Sequence, residues 1–365
     1  MAAANSLAAG FTIFHLLGSV FTTTTAVLFV AIEMCAALLW ALVLGSTRLG
    51  RQPTARIISC GMASLLLFYL GLQLATIAPQ VGSAVAGFGF GGYVMLFYVP
   101  FNAALLTLTQ TANRSTVMGS YSLVFTMVAM VVPLIGGALI DTTSFARAGA
   151  VSAVIVITAI AFTLCFARLP TIPPIIFHGG LPRLIPTWTS LALLGEGVAE
   201  GALWAGQPIL AYHFLTDATG YGRLISLLGL IGAGATVMLG RRSDRTSSRN
   251  AYLLLGIVFL AVGAVLGMRL SDLWGLVAAL GAITFGLPVI GTFLFAVAGD
   301  GGGSPSGLAL WREVLLNSGR LCAVGILLVV LQARALTLGI FSIVLIAALA
   351  LAVSMVAARV TPGRS

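Results

Sequence analysis

Long apolar runs, separated by short polar or charged connections, follow one another along the whole chain. Residues 339–358 hold no charged side chain and are long enough for an α-helix to cross the hydrocarbon core of a bilayer. Strands of a membrane β-barrel would instead alternate polar and apolar positions over about 10 residues. The pattern predicts an all-α polytopic membrane protein of about twelve spanning helices, at about residues 7–24, 26–45, 57–78, 84–108, 116–140, 147–168, 187–215, 220–240, 251–271, 274–298, 307–331 and 335–358.

A proline-rich segment interrupts this series after the sixth run. Five prolines and two glycines fall between Pro170 and Pro186, and such a density of proline is incompatible with a regular helix. Arginines follow Gly45 and Gly240 at corresponding points on either side of the segment, which indicates two pseudo-repeats. We therefore predict two six-helix bundles joined by a linker, with bounds at 1–168, 169–186 and 187–365.

The first predicted helix is shorter than its partner in the second repeat. When Gly45 is aligned with Gly240, only about 20 residues are left before the second helix to form the first one. The seventh helix, its partner in the second repeat, has nearly 30. Either the first helix is naturally short or the start of the protein lies upstream.

Composition agrees with a membrane protein and removes several other classes. Of the 365 residues, 59% are hydrophobic and 7% are charged, whereas an average soluble domain is about 25% charged. The 18 basic residues are all arginines, so the chain has no lysine for a Schiff base or for a nucleotide-binding P-loop. The four cysteines follow no metal-binding or redox spacing. No enzyme activity, cofactor or metal is predicted.

The arginines are distributed unequally between the two sets of predicted connections. Fourteen, Arg312 and Arg320 among them, belong to one set, and four belong to the other. Because positive charge is retained on the cytoplasmic side, the first set, the linker and the C-terminus are predicted to be cytoplasmic, in a plasma (inner) membrane. The net charge of +9 is then explained by topology, and no nucleic-acid partner is expected.

The stretch after the eighth run carries a recognisable motif. Gly240, Asp244, Arg245 and Arg249 fit the pattern Gly-x-x-x-Asp-Arg followed by further basic residues, which resembles the signature loop of the major facilitator superfamily. The resemblance implies two six-helix halves around a central substrate site, with this loop as a cytoplasmic latch. The first-half copy after Gly45 lacks the aspartate.

A second resemblance lies in the fifth run. Gly119, Pro133, Gly136 and Gly137 match four of the six positions of the motif that antiporters of this superfamily carry. The match implies efflux by antiport, although tight helix packing explains the same residues equally well. The fourth run lacks the arginine that is typical of drug antiporters.

Acidic residues within apolar runs are the candidates for coupling, because each is costly in a bilayer. Glu196 and Glu200 are four residues apart, so they share a helix face with Trp204 and Gln207. Two such carboxylates repel each other, and we expect at least one to hold a proton near neutral pH. The alternative is a structural pair bonded to an arginine or to polar groups, which we disfavour because few arginines are expected at that depth. For Glu33 two roles remain open: it takes part in proton coupling, or it forms a hydrogen bond or ion pair with a neighbouring side chain.

Tyr98, Asn102 and Tyr212 are the remaining candidates to line a substrate cavity. Arg320 either reaches this cavity or extends towards the membrane surface. The sequence thus predicts a monomeric, proton-coupled secondary transporter of a small organic solute, with the bilayer as its surroundings and efflux as the favoured direction. The alternatives are a proton-coupled uptake symporter and a non-transporting scaffold or assembly factor with the same fold.

Overall fold

The computed structural model describes residues 2–19, 21–109, 114–166, 169–177, 187–246, 249–300, 303–333 and 335–360. Within these ranges the regular structure is helical, and nine helices are long and apolar enough to cross a membrane. The prediction of an all-α polytopic membrane protein is therefore confirmed. The α-helices are α1 Ala2–Leu7, α2 Thr12–Leu17, α3 Thr23–Ser46, α4 Thr54–Ala75, α5 Pro79–Tyr93, α6 Val99–Leu108, α7 Arg114–Thr142, α8 Phe145–Cys165, α9 Thr187–Phe214, α10 Ala218–Thr246, α11 Arg249–Gly267, α12 Leu273–Asp300, α13 Pro305–Gln332 and α14 Leu336–Val360.

The first membrane element differs from the single helix predicted over residues 7–24. Two six-residue helices, α1 and α2, are joined by a 3₁₀ turn over Ala9–Phe11. The Tyr69 hydroxyl of α4 donates a 2.7 Å hydrogen bond to the Ala4 carbonyl and so anchors α1 to the bundle. Asn5 of α1 lies on the wall of a cavity inside the bundle, which is described below.

The fourth predicted span contains a change of helical pitch. A π-helical turn over Val94–Tyr98 joins α5 to α6, and Pro100 lies in the first turn of α6. Proline has no N–H to donate to the preceding turn, and a π-turn is one of the ways in which a helix accommodates this interruption. Tyr93 and Tyr98, at the two ends of the turn, both face the cavity.

The motif predicted to form a loop after the eighth span lies mostly on a helix. α10 continues through Gly240 and ends at Thr246, and α11 begins at Arg249. The side chains of Asp244 and Arg245 fall outside the described residues. The latch that these residues are predicted to form therefore stays a prediction.

The described part of the proline-rich segment forms a strap over residues 169–177. As expected, it has no regular secondary structure. The Ile175 amide donates to the Gly50 carbonyl over 2.8 Å, and the Ser306 hydroxyl at the start of α13 donates to the Pro173 carbonyl over 2.6 Å. The strap thus joins α3 and α4 to α13 at one end of the bundle, which we call the strap end.

The helices before the strap, α1–α8, and those after it, α9–α14, are called below the first and the second half. They also meet at the opposite end, where α7 ends and α10 begins. The Asp141 carboxylate of α7 accepts hydrogen bonds from the amides of Ala218, over 3.1 Å, and Thr219, over 2.7 Å. These amides have no partner within α10 because they belong to its first turn. A side chain from one half therefore caps a helix of the other half.

We expect Asp141→Ala to weaken this contact by about 0.5–2 kcal/mol, which is the usual cost of losing a helix cap. Distances between spin labels on the two halves at this end should then show a larger open fraction than in the wild type. Asp272→Ala is the matched control, because Asp272 caps α12 within its own half, through a 2.7 Å bond from the Gly275 amide. Equal distance distributions in the two variants would contradict the bridging role of Asp141.

Candidate functional site

Two adjoining chambers lie between the halves and share the side chains of Asn5, Phe90 and Trp204. The larger has a volume of about 430 Å³ and the smaller about 280 Å³. Polar and aromatic groups from both halves form the wall of the larger chamber, namely Tyr93, Tyr98, Asn102, Thr236, Thr284, Arg312, Glu313 and Arg320. The smaller chamber is more aromatic, and Glu33 is the one acid among the described residues that line it.

A very close approach of α9 and α13 positions the charged residues beside the larger chamber. A Cβ on Gly197 or Gly201 of α9 would collide with the backbone of α13, at Leu316 and Arg320 respectively. Small residues allow membrane helices to pack at such short range. The two helices therefore face each other directly, with the acids of α9 beside the arginines of α13.

Glu200 is firmly paired with Arg320. Its Oε2 atom accepts hydrogen bonds from the arginine Nε, over 2.8 Å, and from Nη2. Arg320 also donates from Nη1 to the Asn317 Oδ1 atom over 3.0 Å, and its guanidinium lies 4.5 Å from the ring centre of Trp204. Glu200 and Arg320 thus form a hydrogen-bonded ion pair that packs against the ring of Trp204.

Glu196 is held far less tightly. Its Oε1 atom lies 3.8 Å from Nη2 of Arg312 and close to Gly291 of α12. Its Oε2 atom has no hydrogen-bond partner among the described residues, although the residue is only 1% exposed. A buried carboxylate with one unpartnered oxygen can accept a proton without breaking a hydrogen bond.

Arg312 connects Glu196 to the contact between the halves. It donates from Nη1 to the Glu313 Oε1 atom over 2.5 Å. The same oxygen accepts a 3.3 Å hydrogen bond from the side-chain Nδ2 of Asn102 in α6. The guanidinium lies 4.8 Å from the ring centre of Phe295. An ion pair within the second half therefore reaches the first half through one shared oxygen atom.

The charges of this cluster do not balance. Three carboxylates, those of Glu196, Glu200 and Glu313, face the guanidiniums of Arg312 and Arg320. When all five are ionised, the cluster carries one excess negative charge in a site with little solvent, which is energetically costly. Uptake of one proton or one cationic group would neutralise it.

Sequence reasoning missed Arg312 and Glu313 because it counted Arg312 among the loop residues. α13 begins at Pro305 with Ser304 as its cap, so Arg312 is two turns inside the helix. Arg312 therefore lies beside Glu196, and the pairing with arginine that the sequence disfavoured is the arrangement found for Glu200. The predicted run at 307–331 already contained Arg312, and the Ser304-Pro305 pair, which is a typical helix start, was a further signal that Arg312 lies inside the helix.

Glu33 lies apart from this cluster, in the smaller chamber. Trp204 lines both chambers, Gln207 the smaller one, and Tyr98 and Asn102 the larger one. Tyr212 lines neither of them: it is 40% exposed and packs against Phe14 at 5.5 Å between ring centres.

The residues of the span-five motif pack against other helices. Pro133 lies inside α7, Gly136 abuts the Leu7 carbonyl of α1, and Gly137 abuts the Ala218 carbonyl of α10. Gly119 lies in a part of α7 whose side-chain surroundings are outside the described residues. Close helix packing accounts for the described members of the motif, and the antiport that the resemblance implies stays a prediction.

No group of three or more histidine, cysteine or acidic side chains is placed to hold a metal ion in the described part of the chain. No protein-family model matches the sequence. The rubrofusarin-specific efflux pump aurT of Gibberella zeae is 26% identical over an alignment of 287 residues, and the match covers 72% of this chain and 50% of that pump. The chain thus spans about half the length of this curated relative.

Solved structures match over almost the whole chain. A bacterial homologue of the iron transporter ferroportin, in an outward-facing state, matches with a TM-score of 0.71 and 13% identity, covering 99% of this chain and 97% of that one. The Escherichia coli fucose:proton symporter FucP matches with a TM-score of 0.66 and 14% identity, covering 98% and 95%. The human organic anion transporter MFSD10 matches with a TM-score of 0.65 and 15% identity, covering 94% and 88%.

FucP is itself described as a major facilitator superfamily transporter, and these relatives are transporters rather than enzymes. At such low identity the likeness shows the fold, and it agrees with the resemblance that the Gly240–Arg249 motif carries. The chain is therefore an integral, multi-pass membrane protein with the fold of the major facilitator superfamily.

Proposed function

We propose that the chain is a secondary transporter that moves a small organic solute by alternating access. The supporting observation is the pair of chambers between two halves that touch at both ends, through the strap and through Asp141. The halves also pack along α7 and α10 and along α3 and α13. Halves that meet in this way around a central site can rock about it, exposing it to one side of the membrane at a time. In this proposal the halves comprise residues 1–168 and 187–365.

Proton coupling is assigned to Glu196. When Glu196 is ionised, the guanidinium of Arg312 interacts with two carboxylates, those of Glu196 and Glu313. Once Glu196 is protonated, Arg312 interacts with Glu313 alone, which weakens the hydrogen bond that Glu313 accepts from Asn102 of the other half. Protonation would thus loosen the contact between the halves, as coupling requires.

Efflux is the proposed direction, because the curated relative is named an efflux pump. The strap end is proposed to face the cytoplasm, since Arg48, Arg51 and Arg56 flank the junction of α3 and α4 there. Uptake with a proton is the second candidate, because a fucose:proton symporter shares the fold.

Transport in proteoliposomes with an imposed pH gradient tests this proposal. The probes are three fluorescent dyes: ethidium as a cation, Nile red as a neutral molecule and fluorescein as an anion. We expect gradient-driven movement of at least one dye, lost when an ionophore collapses the gradient and reduced about tenfold or more by Glu196→Gln.

Asp272→Asn is the matched control, because it removes an exposed carboxylate outside the chambers and should leave dye movement unchanged. A dye that the protein carries equally well without the gradient and in Glu196→Gln would exclude proton coupling. Movement of no dye under any condition would argue against transport of small aromatic solutes.

A further inference from the structure

Glu33 has no partner that explains its position. The residue is only 7% exposed, and within the described part of the chain it makes no hydrogen bond and no ion pair. The acids of α9, in contrast, each have an arginine close by. An ionised carboxylate without a counter-ion is costly at such a position, so Glu33 holds either a proton or the cationic group of a ligand in the adjoining chamber.

The surroundings of Glu33 are aromatic. The smaller chamber is lined by the rings of Phe29, Phe68, Phe90, Trp204 and Tyr221. Aromatic faces attract cations, and cages of such rings are the usual receptors for substituted ammonium groups. One carboxylate among five aromatic side chains therefore suits an organic cation.

Charge in the two chambers also disfavours an anion. Both arginines of the cavity, Arg312 and Arg320, lie on the wall of the larger chamber and are paired with glutamates. No arginine is among the described residues that line the smaller chamber. Among the described residues in and beside the two chambers, the four carboxylates of Glu33, Glu196, Glu200 and Glu313 face two guanidiniums.

We propose that Glu33 is the counter-ion for a cationic organic substrate, an inference that rests on the proposed transport function. The ammonium group occupies the smaller chamber of about 280 Å³, and an apolar or aromatic body extends past Phe90 and Trp204 into the larger one. These two rings lie 6.0 Å apart, centre to centre, where the chambers adjoin. A bare proton at Glu33 would need neither the volume nor the aromatic walls.

Equilibrium dialysis with the purified full-length chain tests this inference with two soluble probes of similar shape. Phenyltrimethylammonium carries a tetrahedral cationic head on a benzene ring, and benzenesulfonate carries a tetrahedral anionic head on the same ring. We expect saturable binding of the cation and binding of the anion that is weaker by about tenfold or more. Glu33→Gln should weaken cation binding by a similar factor, while the exposed control Asp272→Asn should not.

The comparison of the two probes on the wild-type chain decides the question even if Glu33→Gln fails to fold. Equal affinities for both probes, or full cation affinity in a folded Glu33→Gln, would overturn the assignment. Because binding requires no gradient, failure of this inference is separable from failure of the proposed function. Cation binding without dye transport would contradict transport alone, and dye transport without charge selection in binding would contradict the role of Glu33 alone.

Discussion

Replacing Arg320 with methionine is expected to destabilise the protein by about 3–5 kcal/mol, the usual cost of leaving one buried charge of a pair without its partner. Arg320 is 6% exposed and donates to Glu200 from both Nε and Nη2. Methionine retains much of the side-chain volume beside Trp204 but leaves the glutamate unpaired in a site of low dielectric. The free energy of unfolding, measured by SDS titration in mixed micelles, reports the loss.

The double variant Glu200→Gln/Arg320→Met separates lost charge pairing from lost packing. It removes both charges, so we expect it to be clearly more stable than Arg320→Met alone. Arg223→Met is the matched control, because Arg223 is an exposed arginine near the start of α10, and its loss should cost well under about 1 kcal/mol. An Arg320→Met variant as stable as this control would show that the ion pair does not stabilise the fold.

The second large effect is expected at Gly197, where α9 and α13 touch backbone to backbone. A Cβ at this position would meet the backbone atoms of Leu316, and backbone cannot move aside as a flexible side chain can. Gly197→Ala should therefore push the helices apart and cost about 1–3 kcal/mol. It should also weaken the pairing of Glu196 with Arg312, since these side chains project from the two separated helices.

Gly325→Ala is the control for this prediction, because it introduces the same methyl group into α13. A Cβ on Gly325 would have no neighbouring atom within 4 Å. Alanine there should be neutral, or stabilising by up to about 1 kcal/mol through its higher helix propensity. SDS unfolding of both variants checks the difference, and a Gly197→Ala protein as stable as Gly325→Ala would exclude a tight contact at this crossing.

The helical architecture could be predicted from sequence because a bilayer imposes strict local rules. Every spanning segment must satisfy its own backbone and remain apolar for about 20 residues, so composition along the chain reveals the spans. The predicted span at 335–358 corresponds to α14 Leu336–Val360, and the one at 274–298 to α12 Leu273–Asp300. The boundaries failed where helices continue past charged residues, as α10 does to Thr246.

Helical spacing also predicted part of the candidate site. The shared face of Glu196, Glu200 and Trp204 follows from residues four apart on one helix, and Trp204 lines both chambers. The same spacing could not show that Tyr212 turns towards Phe14 instead of the cavity. Which face of a helix meets a cavity depends on the neighbouring helices, and local periodicity does not specify them.

The sequence by itself determined that this protein is a multi-pass helical membrane protein, because apolar length is a local property of the chain. Only the tertiary structure decided which charges pair: Arg320 meets Glu200 from 120 residues away, and Glu313 meets Asn102 from 211 residues away. These partners depend on the close approach of α9 to α13 and on the way the two halves face each other. Such contacts arise from packing between distant segments, so no local pattern could reveal that Glu33 alone among the cavity acids lacks a partner in the described chain.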